Sequence, residues 1–309
     1  MAGRYPLLYR TIQALALFAV LLGLLYPQLV AQWQLVLAVA LIVAIGIPHG
    51  ATDYLIFQYL SRPLWGGRQL ARFYLNYVLL MTAYALLWWM LPGLALILFL
   101  LLSMYHFGQS NWNYVPFQHK VTEYGAYLLW GAFVVLTPIL WHYDASESII
   151  RHLIGGPVPA IAKPWRETIC IALLAGNLWL AIYLLIQRKV SFRQFAEEMA
   201  NFTVLSLLFV NTPLLLGFAL YFVGWHSLSS VMDQVRFFRE RLGRYSLKDY
   251  VRNTLPLSLA AIAGLAGLVG IQSSLGMGFN IGAVFIFISV VTLPHMILID
   301  QLYQELPVI

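Results

Sequence analysis

The sequence predicts an all-α protein, a polytopic transmembrane helical bundle of about ten helices, formed as one integral membrane domain over residues 1–309. Three observations predict it. Hydrophobic residues make up 61% of the chain and charged residues 10%, whereas an ordinary soluble domain is about half apolar and a quarter charged. Apolar runs of about 20 residues, the length that crosses a bilayer core, recur along the chain. Lys and Arg gather in alternate connections between those runs, as the positive-inside rule describes, which places both termini on the cytoplasmic side.

The expected spans run in order. The first, 8–30, comes after Arg4 and Arg10 and shares that basic flank with signal peptides. It lacks a small-x-small cleavage site and further spans come after it, so it reads as an uncleaved helix. The second, 34–60, leads into a basic connection with Arg62, Arg68 and Arg72. The third and fourth, 70–91 and 93–114, are divided by the uncharged "LPG". The fifth, 121–141, precedes a mixed loop with Asp144, Glu147, Arg151, Lys163 and Arg166. The sixth, 166–187, ends at Arg188, Lys189 and Arg193. The seventh, 198–211, is the shortest and meets "NTP" at once. The eighth, 213–238, runs into "RFFRERLGRYSLKDYVR" at 236–252, which reads as a cytoplasmic amphipathic connector on anionic headgroups. The ninth and tenth are 254–273 and 279–303. An odd count would scramble the charge alternation.

The net charge of +6 belongs to these short loops, so it implies a membrane surface and no nucleic-acid partner. Cys170, the single cysteine, excludes an intramolecular disulfide.

Function is concentrated in histidines. His119, His142 and His152 fall in or beside loops, while His49, His106, His226 and His295 lie inside spans. An ionisable group within a span must face protein or a polar cavity and is a functional candidate by default. One such histidine is as easily an interhelical hydrogen bond. Four are not, because they share a level. They occupy the second, fourth, eighth and tenth spans, which run in the same direction, each roughly 13 to 16 residues from its start, or about 20 to 24 Å down the helix.

Neutral imidazole suits iron, zinc, copper and nickel, and HExxH, CxxC and Gly-rich phosphate motifs are missing from the sequence. A metal-bound histidine passes its other N–H to an acceptor. The expected acceptors are Asp53 for His49, Gln109 for His106, Ser227 for His226 and Asp300 for His295. Pro48 and Pro294 each precede a histidine and predict a kink, since proline removes a helix hydrogen bond. Gly50 and Gly108 would allow close approach. From the residues alone, a metal-dependent enzyme and a proton-coupled carrier using buried His and Asp both stay open.

At these residues the chain resembles the Brp/Blh family of bacterial and archaeal membrane β-carotene 15,15′-dioxygenases. The resemblance rests on "GIPHGATD" (46–53), "YHFGQSN" (105–111), "WHS" (225–227) and "LPHMILID" (293–300), and their order and spacing extend it over nearly the whole chain. It implies an Fe(2+) enzyme of the inner (plasma) membrane that uses O2 to cleave the central double bond of β-carotene, or a related carotenoid, into retinal. Retinal in turn serves a microbial rhodopsin. The resemblance carries over His49, His106, His226 and His295 as iron ligands and catalytic residues. Tyr54, Tyr105, Phe107, Tyr221, Phe222 and Trp225 are the aromatics expected along an apolar substrate tunnel. Two positions depart from the pattern: Ser230 stands where some members carry a further histidine, and Asn111 where some carry Asp. These departures keep a third class open, a carotenoid-binding protein without cleavage activity.

Overall fold

The computed structural model describes residues 6–60, 67–276 and 280–305. Arg4, Arg62 and the first residue of the tenth expected span lie outside them. The described elements are helical: α1 Pro6–Leu25, α2 Pro27–Leu41, π1 Ile42–Gly46, α3 Ile47–Gly50, α4 Asp53–Leu60, α5 Gly67–Met90, α6 Pro92–Trp112, α7 Lys120–Trp141, α8 Tyr143–Ile154, α9 Lys163–Ile186, α10 Phe192–Asn211, α11 Leu214–Tyr221, π2 Phe222–Ser227, α12 Leu228–Leu242, α13 Leu247–Ser274 and α14 Ile281–Glu305. Among the described residues no strand occurs, and nine helices are long and apolar enough to cross a membrane. The chain is an all-α polytopic bundle.

The seventh expected span is present as a helix but is not among those nine. Instead of 198–211, it runs from Phe192 to Asn211. Ser191 caps it, accepting from the Gln194 amide while the Gln194 side chain returns the bond, a reciprocal arrangement that fixes a helix start. Arg193, Glu197 and Glu198 therefore lie within its first turns and lower its apolar character. The mixed loop after α7 also contains an unexpected helix, α8, which ends where Gly155 takes a left-handed conformation (φ 64°). The basic connector is not a separate element. It is the end of α12, a turn at Gly243, and the start of α13, which Ser246 and Asp249 cap.

Packing explains two of the glycines. A methyl group on Gly108 of α6 would stand 1.7 Å from the Tyr127 carbonyl of α7, and one on Gly131 of α7 would stand 1.7 Å from the Met104 carbonyl of α6. The two helices thus meet backbone to backbone, as small residues allow in membranes. The room that Gly108 offers beside His106 is taken by α7. This crossing anchors the largest apolar cluster, which includes Trp130, Phe133, Leu205, Leu208 and Phe209. Beside it, the two π segments pack against each other.

Candidate metal centre

Each histidine reaches the centre from a different local structure. His49 lies on α3, a single turn between π1 and a break at Ala51–Thr52. His226 lies inside π2. His106 and His295 lie in the continuous helices α6 and α14. A π segment inserts one extra residue in the helical spiral and rotates the residues after it; such segments recur at functional sites. The first one ends at Gly46, where an added methyl group would approach Phe222 of π2 to 2.8 Å. Glycine there lets the two distorted segments close on each other.

The four rings then meet in a closed cycle. Ring centroids are 5.2 Å apart for His49 and His226, 4.8 Å for His226 and His106, 5.7 Å for His106 and His295, and 4.9 Å for His295 and His49. All four are between 2% and 5% exposed. His49 Nδ1 donates to the Gly46 carbonyl, and His295 Nδ1 donates to Asp53 Oδ1 at 2.8 Å. In a neutral imidazole that donates from Nδ1, Nε2 has the lone pair. Five ring nitrogens are buried without a hydrogen-bond partner among the described residues: His49 Nε2, both of His106, His226 Nδ1 and His295 Nε2.

Buried polar atoms normally have partners, and each one lacking a partner needs an explanation. Imidazoles sharing one ion at about 2 Å from nitrogen have centroids roughly 5 Å apart, so the donors and the ring spacing fit a metal. As the side chains sit, no group of three or more His, Cys, Asp or Glu among the described residues is already arranged to hold an ion. The fit lies in the donor set and its spacing.

The expected acceptors are present but are redistributed. Asp53 serves His295, across the bundle, in place of His49 on its own span. Its second oxygen accepts from Tyr77 of α5 at 2.9 Å. The break at Ala51–Thr52 turns Asp53 away from the helical path on which an i,i+4 partner would sit. Asp300 accepts from Gln109 at 2.6 Å and from Tyr105 and Gln304 at 2.9 Å each. Gln109 therefore pairs with Asp300, leaving both His106 nitrogens unpartnered. The hydroxyl of Ser227, beside His226, is buried without a partner among the described residues.

Of the six expected tunnel aromatics, two touch the histidines closely. Phe107 lies 4.9 Å from His226, and Phe222 lies 5.6 Å from His226 and 5.5 Å from His49. Tyr221 packs behind Phe107. Trp225 donates to Asn201, Tyr105 to Asp300, and Tyr54 to the Asn253 carbonyl. Of the departing positions, Ser230 accepts from Gln234, and Asn111 donates to Glu198 at 3.4 Å. Not signalled in the sequence are Tyr77, the pair Gln234 and Tyr250 at the His49 carbonyl, and Thr52, which donates to Gln234. All four act between helices far apart in the chain, where no sequence spacing signals them.

The chain has recognisable relatives. A family model described as β-carotene 15,15′-dioxygenase matches residues 40–303, a stretch that contains all four histidines. A protein named β-carotene 15,15′-dioxygenase from uncultured marine bacterium 66A03 is 29% identical over 273 residues, covering 86% of this chain and 93% of its own. No solved structure matches the chain. With the family model spanning most of its length, the chain belongs to the β-carotene 15,15′-dioxygenase family.

Proposed function

We propose that the chain cleaves the central double bond of β-carotene with O2 to give retinal, using Fe(2+) held by His49, His106, His226 and His295. One observation carries the reading: four buried imidazoles from four helices meet in one cycle, with ring nitrogens that no protein group among the described residues satisfies. Family membership supplies the substrate and the reaction.

Bound there, the iron would supply a redox centre at which dioxygen and the polyene can react. The residues of the chain do the rest. Gly46 and Asp53 hold the Nδ1 protons of His49 and His295, leaving their Nε2 atoms as neutral donors. The Asp53 carboxylate offsets part of the buried positive charge, which must be counted in any such site. Phe107 and Phe222 close the site with apolar rings and keep water from it, which favours positioning over acid–base chemistry. A bundle with this many lipid-compatible helices suits a substrate that dissolves in the bilayer, here proposed as the inner membrane. Retinal leaving it would serve a microbial rhodopsin.

In a β-carotene-producing bacterial host, His49→Ala, His106→Ala, His226→Ala or His295→Ala each abolishes retinal formation, checked by product chromatography. Purified protein carries about one iron per chain. Full activity in any of the four removes that residue from the set, and an active protein holding zinc in place of iron overturns the mechanism.

A further inference from the structure

Gln234 has no assigned role, lies two turns beyond His226 on α12, and is fully buried. A primary amide offers two N–H donors and an oxygen with two lone pairs. All four are used. Its oxygen accepts from the Thr52 hydroxyl and, at 3.2 Å, from the Tyr250 hydroxyl. Its nitrogen donates to Ser230 Oγ at 3.0 Å and to the His49 backbone carbonyl at 3.1 Å. A saturated amide in a membrane bundle is costly to assemble and costly to disturb, because each group left behind loses its partner where water cannot replace it.

The place where this amide attaches matters. His49 sits on one short turn that continues from a π segment and ends at a break. The helical ladder reaches the turn through the π segment and breaks just after it at Ala51–Thr52, so the ring's position depends in part on what grips the turn. The Tyr250 hydroxyl of α13, whose single proton goes to Gln234, also lies 3.3 Å from the Pro48 carbonyl and 3.4 Å from the His49 carbonyl, which are alternative acceptors for that proton. Thr52, at the break itself, completes the clamp. Ser230 is the acceptor that orients the Gln234 amide, so the serine at this position has a structural use of its own.

We infer that Gln234 is the positioning residue for His49: it locks the interrupted second span to the helix that carries His226 and thereby sets the separation of two histidines of the centre. The inference rests on the proposed metal reading and adds to it a residue that touches neither metal nor substrate.

The test uses the full-length protein in detergent and Co(2+) as a spectroscopic probe, with His49→Ala as reference. Gln234→Glu keeps the shape but removes both donors and turns a carboxylate oxygen toward the His49 carbonyl. It is expected to weaken Co(2+) binding about 10- to 100-fold, the range for groups that orient ligands, and to shift the visible absorption of bound Co(2+). The thermal midpoint should fall as well, because the Ser230 and His49 acceptors lose their donors, so the affinity and spectrum of the folded variant are the deciding readouts. Ser230→Ala, which leaves the bond to His49 in place but frees the other amide N–H, should weaken Co(2+) binding clearly less than Gln234→Glu does. If Gln234→Glu fails to fold, Tyr250→Phe replaces it, with a several-fold weaker affinity and a shifted spectrum expected. Wild-type affinity and an unchanged spectrum in the folded variant overturn the inference. If wild type itself binds no Co(2+), or His49→Ala binds as wild type does, the metal reading fails first, and the two failures are thereby distinguished.

Discussion

Two stretches of the chain carry the same Pro-His dipeptide, and they fold differently. Pro48-His49 lies on a one-turn helix between a π segment and a break, whereas Pro294-His295 lies inside an uninterrupted helix of 25 residues. Proline removes one hydrogen bond in both places, so proline alone does not decide the outcome. The difference lies in the surroundings. Around His49, Gly46 admits Phe222, Gln234 donates to the His49 carbonyl, and the Tyr250 hydroxyl lies within reach of the Pro48 and His49 carbonyls. Interruption is tolerated in a membrane helix where neighbouring side chains satisfy the freed backbone. His295 instead has its ring held by a charged partner, Asp53. One histidine is positioned through its backbone and the other through its ring.

That contrast can be broken experimentally. The largest effect is expected from Asp53→Asn, which removes the charge that holds His295 and should cut iron content or turnover about 10- to 100-fold. Asp300→Asn, whose partners are Tyr105, Gln109 and Gln304, should cost clearly less. Iron assay and retinal yield on the two variants decide it, and a reversed order would mean that His295 leans on Asp300. Gly46→Ala comes next. Its methyl group would crowd Phe222, which stacks on His226 and cannot swing away freely. Such overpacking costs about 1–3 kcal/mol, visible as a lowered thermal midpoint and reduced turnover, and a second change, Phe222→Leu, should restore part of both. The smallest effect is expected from Pro294→Ala. The helix is already continuous there, so turnover should stay near wild type and stability should hold or rise. A severe loss in Pro294→Ala would show that both prolines are essential and erase the distinction.

The spans and the four histidines are legible in the sequence because each depends on local pattern: apolar length for the helices, and ionisable groups inside apolar runs for the site. The equal depth of the histidines comes from helix rise alone. The illegible part depends on contacts across the bundle. Asp53 is four residues from His49, and spacing pairs them, but the break at Ala51–Thr52 sends the carboxylate to His295. Asp300 is five residues from His295, and its side chain meets α6 instead. The π segments escape for the same reason: a single inserted residue leaves hydrophobic spacing almost unchanged. The start of α10 is written in the sequence as a Ser191-to-Gln194 capping box, but Arg193 beside it reads as loop charge and hides the cap. Gly108 stands out as a point of close approach, although its use is to join α6 to α7.

The unpartnered ring nitrogens bear on how much protein a cell accumulates. Each buried polar atom without a partner costs on the order of 1–3 kcal/mol, and five are gathered at one point in the bundle. One nitrogen of His106 carries a proton, which leaves four lone pairs, and an ion that takes them up binds the folded chain and not the unfolded one, so it adds to stability by mass action. Under the proposed reading, cells short of iron would hold fewer folded copies in the membrane, because chains left unloaded are the ones most readily opened and degraded.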